Sequence, residues 1–181
     1  MRQILPNAHG MVCFCVALAI GAGFPTQEAV AQSAPAMGTA KAQPEYVKTV
    51  REISLASAQR LLANGLEIAG QREMRLAIAV VDSAGNLLAF VRMDGASIVT
   101  IDVAVGKART AAFLKAPSKV FEDMINSGQP SMATTPGLLP LQGGIPVVFD
   151  GEVIGAVGVS GSSGENDQTV ATRIAESFAR F

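Results

Sequence analysis

The Asp150-Gly151 dipeptide is the feature that most restricts the fold of this chain. It separates two apolar runs, residues 145–149 and 152–160. Asp-Gly between two such runs is the strongest short-range signal for a β-hairpin with a two-residue turn. The last third of the chain is therefore predicted to form two antiparallel strands.

Helical and extended patterns alternate along the rest of the chain. Ser54 is a suitable N-cap for a first helix that stops near Gly70, and a Gly/Pro-rich loop fills residues 127–142. The order helix, hairpin, helices, hairpin, helix predicts an α+β fold, in which helices pack on an antiparallel sheet. The remaining elements are strands at 76–81 and 87–93, helices at 98–113 and 118–125, and a terminal helix that opens with a Ser162–Glu165 capping box.

Spacings of three and four residues predict which helix faces are buried. The expected buried residues are Leu55, Ala58, Leu61, Leu62 and Leu66 in the first helix, Ile98, Ile101, Val105, Ala108 and Ala112 in the middle helix, and Val170, Ile174 and Phe178 in the last.

The N-terminal segment has the pattern of a secretory signal peptide over residues 1–31. Its apolar run at 11–20 is too short to span a bilayer, and it is followed by an A-x-A cleavage site that ends at Ala31. Residues 32–50 are expected to be a flexible segment and residues 51–181 the domain. We expect a periplasmic or secreted protein that has no membrane attachment after cleavage.

Cleavage after Ala31 would remove His9, Cys13 and Cys15, which are the only histidine and the only cysteines of the chain. The mature chain would then have no Cys–His nucleophile, no Ser-His-Asp triad and no metal site of the usual zinc ligands. It would keep 13 of the 14 basic and 14 of the 15 acidic side chains. This near balance argues against a nucleic-acid partner.

Two polar segments contain candidate ligand-binding residues. Arg92, at a strand end, offers a planar fork for a carboxylate, and Asp94 can hold that fork or orient a ligand. The alternative is a local ion pair between these two side chains. Lys107 and Thr110 share a helix face and offer an amine and a hydroxyl. Their alternative is a solvated face, with Thr110 bonded to the preceding turn.

Glycines form a third candidate segment. Gly143 and Gly144 expose backbone N–H groups that can bind a ligand, and Gly155 and Gly158 lie inside a strand. Glycine weakens a strand unless a backbone or a ligand approaches closely. The spacing of these glycines leaves both explanations open.

In this order and spacing, these motifs resemble the GlcG/HbpS-like heme-binding family, over residues 53–179. The resemblance implies a profilin-like fold with a five-stranded antiparallel sheet, a homo-oligomer, and heme or a corrinoid as ligand. It also implies that Thr110 contacts heme. The motifs are Asp82-x-x-Gly85, Arg92-Met93-Asp94-Gly95-Ala96, Lys107-Ala108-x-Thr110-Ala111, Gly143-Gly144-Ile145-Pro146, Gly155-Ala156-Val157-Gly158-Val159-Ser160-Gly161, and Asp167.

Heme iron in proteins is usually held by His, Cys, Met or Tyr. Besides Tyr46, five of the seven methionines lie beyond the predicted signal peptide. Met93 and Met132 are expected near the candidate segments, whereas Met74 and Met124 are expected to fill the core.

Three functions are consistent with these residues. The first is tetrapyrrole binding, with the heme propionates on Arg92 and Lys107 and the ring in an apolar cleft. The second is an enzyme for a small carboxylate or oxo-acid, in which Arg92 binds the substrate and Lys107 or Asp94 moves protons. The third is an accessory interaction protein whose glycine-rich edge binds a partner.

Overall fold

The computed structural model describes residues 47–181. The predicted signal peptide, most of the predicted flexible segment and Tyr46 lie outside the described residues. No helix in the described range is long and apolar enough to cross a membrane. The elements within that range are α1 Leu55–Gln71, β1 Ala77–Asp82, β2 Leu87–Arg92, α2 Thr100–Leu114, α3 Lys119–Asn126, β3 Gly144–Phe149, β4 Glu152–Ser160 and α4 Gly164–Ser177, with short 3-10 turns at Pro130–Thr134 and Phe178–Arg180.

The strands form one antiparallel sheet in the order β2-β1-β4-β3, which confirms the predicted fold class. The expected fifth strand is wrong, because the sheet has four strands over residues 47–181. In the described range, the segment before α1 forms no strand, although the Ile53 N–H donates to the Ile154 carbonyl at 2.9 Å. Ser54 then caps α1, so the helix begins directly after this contact.

Both hairpins close as their turn residues predict. Asp150 and Gly151 have φ values of 49° and 78°, as a two-residue turn of type I′ requires. In the other hairpin, Oδ1 of Asp82 accepts hydrogen bonds from the backbone N–H groups of Ala84 at 2.9 Å and Asn86 at 2.8 Å. Local side-chain and backbone chemistry thus determines both turns.

One face of the sheet packs against α1 and α4. Ser54 is the N-cap of α1, as predicted, and accepts a hydrogen bond from the Ser57 N–H at 3.2 Å. The buried face of this helix is only partly the predicted one, since Leu55 and Leu66 are 53% and 37% exposed. Gly65 contacts the sheet instead, where an added Cβ would lie 2.7 Å from Ile78 and 2.8 Å from Ile174. Here the buried core includes Leu61, Leu76, Ile78, Val80, Val157, Val159, Val170 and Ile174.

The opposite face packs against α2 through small side chains. A Cβ on Gly158 would overlap the Ala104 carbonyl, and one on Gly144 would overlap the Lys107 carbonyl. The glycines therefore allow the helix backbone itself to lie against the sheet. Ile98, predicted for this face, is 72% exposed because α2 begins after it. The buried residues of this layer include Ala77, Ala79, Val81, Ala104, Ala108, Ala111, Ala112 and Ala156.

The last helix, α4, begins one residue later than its predicted capping box. Ser163, rather than Ser162, is the N-cap, and its hydroxyl accepts a hydrogen bond from the Asn166 N–H at 3.3 Å. The backbone N–H of Ser162 instead donates to Oδ1 of Asp167 at 3.0 Å. A carboxylate within the first turn therefore fixes the chain just before the helix.

Candidate functional site

The candidate residues lie in two adjoining regions at the end of β4. The first, here called the buried polar centre, contains Lys107, Thr110, Gly143 and Gly144 together with Asp167. The second is an open cleft of about 460 Å³ at the surface. Residues lining the cleft are Glu73, Met74, Arg75, Gly95, Ala96, Ser97, Gly161 and Ser162.

Lys107 is at the middle of the buried polar centre and is only 3% exposed. Its Nζ donates hydrogen bonds to Oδ2 of Asp167 at 2.8 Å and to the Val159 carbonyl at 3.0 Å. The alternative of a solvated helix face is therefore wrong for Lys107. Its partner Asp167 lies 60 residues further along the chain, and no local spacing connects the two.

The two oxygens of Asp167 bind different parts of the chain. Oδ2 accepts from Lys107, and Oδ1 accepts from the Ser162 N–H. Asp167 lies in the first turn of α4, where the helix dipole favours a negative charge. Gly143 packs directly on this pair, since an added Cβ would lie 3.0 Å from both Lys107 Nζ and Asp167 Cβ. The centre is thus closely packed as well as polar.

Thr110 is fully buried, and its hydroxyl is used within the chain. It donates to the Gly106 carbonyl at 2.9 Å and accepts from the Leu139 N–H at 2.7 Å. This geometry agrees with the predicted alternative, a threonine bonded to the preceding helical turn. It also ties α2 to the loop at 127–142.

The N–H groups of Gly143 and Gly144 also have partners inside the protein. Gly143 donates to the side-chain oxygen of Gln168 at 2.8 Å, and Gly144 donates to the Ser118 hydroxyl at 2.8 Å. The paired glycines therefore serve internal packing, and these two donors are not directed at a ligand.

The cleft lies between the turn after α1, the turn after β2 and the end of β4. Arg75 is an exposed residue that lines the cleft, and a Cβ on Gly95 would come within 2.8 Å of its guanidinium nitrogen Nη1. Gly161 has a φ of 143°, and its added Cβ would lie 2.5 Å from the Arg75 carbonyl. The volume is within the usual range for small-molecule pockets, but most lining residues are polar or glycine, so the apolar cleft expected for a heme ring is not what the structure has here.

Arg92 belongs with the cleft, because its Nη1 donates to the carbonyl of the lining residue Ala96 at 2.6 Å. The alternative of an ion pair with Asp94 is wrong, and Asp94 is exposed in the adjacent turn. Met93 is partly buried against the core. Met74 packs against the same core and also lines the cleft, a position that sequence periodicity could not show.

The structure therefore separates residues that the sequence grouped together. Arg92 is bonded to the cleft residue Ala96 and Asp94 is exposed in the adjacent turn, whereas Lys107 belongs to the buried polar centre. Met132 lies in the 3-10 turn Pro130–Thr134, within the long loop. In the described range, no group of three or more His, Cys, Asp or Glu side chains could hold a metal ion.

Comparison with known proteins gives one consistent result. A family model described as "Haem degrading protein HbpS-like" matches residues 53–176. The GlcG protein of Escherichia coli K12 is 42% identical over 114 residues, which are 63% of this chain and 85% of GlcG.

Two solved structures extend this similarity to the fold. A double mutant of Streptomyces reticuli HbpS is 31% identical with a TM-score of 0.69, over 78% of this chain and 97% of that one. A heme complex of PduOC is 26% identical with a TM-score of 0.63, over 69% of this chain and 94% of that one.

Proposed function

The chain belongs to the HbpS-like family, and on that premise we propose that it is an exported protein that binds heme or a related tetrapyrrole. The observation that carries the proposal is the family match over residues 53–176, together with a relative that was solved as a heme complex. Export is supported by the signal-peptide pattern of residues 1–31.

The cleft is the site that we propose for the ligand. Residues 47–181 contain no His, Cys or Tyr, so methionine is the remaining side chain of the usual iron ligands. Met74 lines the cleft, so its thioether is the iron ligand that we propose. Arg75 lines the same cleft, and Arg92 is bonded to its rim, which supports the proposal that these two guanidinium groups bind the propionate carboxylates.

Lys107 is not assigned to the propionates, contrary to the sequence-based expectation. Its amine is buried and already bonded to Asp167 and the Val159 carbonyl. For the same reason, no observation favours Lys107 as a proton carrier in an enzyme. The arrangement that we propose is a tetrapyrrole held at its edge by arginines and next to one methionine. When bound, heme would supply a redox-active iron.

Hemin titration followed by absorption spectroscopy tests this proposal. We expect a saturable Soret change for the protein that lacks residues 1–31. The double variant Arg75→Ala/Arg92→Ala should bind about tenfold more weakly or worse, because charge-assisted hydrogen bonds are lost. Met74→Leu should shift the Soret band at nearly unchanged core volume.

Arg173→Ala is the matched control, since this exposed arginine lies on α4 outside the cleft. Its hemin affinity should equal that of the unmodified protein. A titration without saturable spectral change would disprove tetrapyrrole binding. Equal affinity in the double arginine variant would disprove the cleft as the site.

The family resemblance also implies a homo-oligomer, and this stays a prediction. Exposed apolar side chains in the described range, such as Val148, Phe149 and Phe181, are 51%, 47% and 43% exposed. Native mass spectrometry would give the subunit number and any bound ligand together, and N-terminal sequencing of the exported protein would locate the cleavage site.

A further inference from the structure

We infer that Asp167 is a positioning residue for the cleft, because its carboxylate holds the Gly161–Ser162 wall in place through the Ser162 N–H, and that Lys107 neutralises the charge of this buried carboxylate. The inference rests on the proposed function and extends it to two residues that do not line the cleft. It concerns the shape of the site, whereas the proposed function concerns what binds there.

The connection consists of two hydrogen bonds through one carboxylate. Ser162 lines the cleft, and its N–H donates to Oδ1 of Asp167 at 3.0 Å. The other oxygen, Oδ2, accepts from Lys107 Nζ at 2.8 Å. Movement of the carboxylate would therefore release the backbone of Ser162 from its present position.

Lys107 also binds the strand that leads into the wall. Its Nζ donates to the Val159 carbonyl at 3.0 Å, two residues before Gly161. The Lys107 and Asp167 side chains are only 4% and 3% exposed, so water does not compete for these hydrogen bonds. Loss of either partner would leave a buried charge unpaired.

The wall in turn contacts the part of the cleft that carries the proposed ligand-binding groups. Gly161 lies against the Arg75 backbone, where an added Cβ would be 2.5 Å from the Arg75 carbonyl. Arg75 and Met74 are consecutive residues of the opposite side. The buried pair is thus connected, through Ser162 and Gly161, to the backbone that carries the proposed ligand-binding side chains.

Two double variants separate positioning from simple loss of charge. Lys107→Met/Asp167→Asn removes both charges but keeps a side-chain oxygen for the Ser162 N–H. Lys107→Met/Asp167→Leu removes both charges and that oxygen. We expect the Asn variant to bind hemin within about twofold of the unmodified protein, and the Leu variant to bind about tenfold more weakly.

Ser118→Ala is the control for general loss of buried polar contacts. Ser118 is fully buried and bonds the Gly144 N–H and the Leu141 carbonyl, but it does not touch the cleft. Its substitution should lower stability without a change in hemin affinity. Equal hemin affinity in the two double variants would overturn the inference.

Hydrogen exchange of the Ser162 amide, measured by NMR, tests the same claim without hemin. Ser162 is an exposed residue, so slow exchange there requires the bond to residue 167. Exchange should be slow in the unmodified and Asn proteins and faster in the Leu protein. Fast exchange in the unmodified protein would overturn the inference even if the Leu variant failed to fold. If hemin does not bind at all, the proposed function fails, and this exchange measurement still decides the positioning role.

Discussion

Two Lys–Asp pairs in this molecule have similar geometry and opposite surroundings. Lys107 and Asp167 are 2.8 Å apart with side chains 4% and 3% exposed. Lys119 and Asp123 are 2.6 Å apart with side chains 47% and 59% exposed. The separation of the charged atoms therefore does not distinguish the pairs, whereas exposure to water does.

The difference in surroundings assigns the two pairs different roles. Water solvates either charge of the exposed pair when the other is absent, so such pairs contribute little to stability. In the buried pair each charge is neutralised by the other rather than by water. Asp167 also fixes the Ser162 backbone. The buried pair thus links the stability of the fold to the shape of the cleft. Substitutions in both pairs can test whether their contributions to stability differ as their exposure predicts.

The largest effect is expected from Lys107→Met. This substitution leaves the Asp167 carboxylate buried without its cation, and we expect the free energy of unfolding to fall by about 3–5 kcal/mol. Urea denaturation measures it. The double variant Lys107→Met/Asp167→Leu should recover at least about 1 kcal/mol of that loss, since it contains no buried charge. A loss for Lys107→Met below about 1 kcal/mol, the range of exposed pairs, would contradict the contrast.

An intermediate effect is expected from Gly143→Ala. The new Cβ would lie 2.9 Å from the Val159 carbonyl and 3.0 Å from Lys107 Nζ, at a φ of 118°. We expect a loss of about 1–3 kcal/mol, measured in the same urea titration.

Gly128→Ala is the control for the backbone strain alone. Gly128 has a φ of 104°, and nothing lies within 4 Å of its added Cβ. The difference between the two alanine variants therefore measures crowding of the buried pair. Equal losses would show that this pair tolerates the extra methyl group.

The smallest effect is expected from Lys119→Met, which should leave the denaturation midpoint unchanged within error. The hydrogen bond to Asp123 raises the pKa of Lys119 above 10.5. The pKa of Lys119 is higher in the folded than in the unfolded state. Any contribution of this pair to the free energy of unfolding is therefore present below pH 10.5 and is lost as the pH rises through the folded-state pKa. The denaturation midpoints of the unmodified protein and of Lys119→Met should therefore coincide once the pH is above the folded-state pKa of Lys119. A clear drop at neutral pH would mean that the exposed pair resembles the buried one.

Most of the fold could be predicted because its signals are local. The turn at Asp150-Gly151, the cap at Ser54 and the order of helices and strands depend on residues that are neighbours along the chain. The errors arose where contacts outside the expected local pattern decide the geometry. Ser163 caps α4 in place of Ser162, whose N–H is bonded to Asp167, and α1 turns Gly65 toward Ile78 and Ile174.

The candidate site was only partly predictable. The sequence by itself singled out Arg92, Lys107 and the glycine segments, together with the α+β class and the signal-peptide pattern. Only the tertiary structure decided that Lys107 is paired with Asp167, that the glycines admit α2, and that Met74 lines the cleft. The physical reason is that turns and caps are made by groups a few residues apart, whereas a buried ion pair and a cleft form only when separate elements pack together.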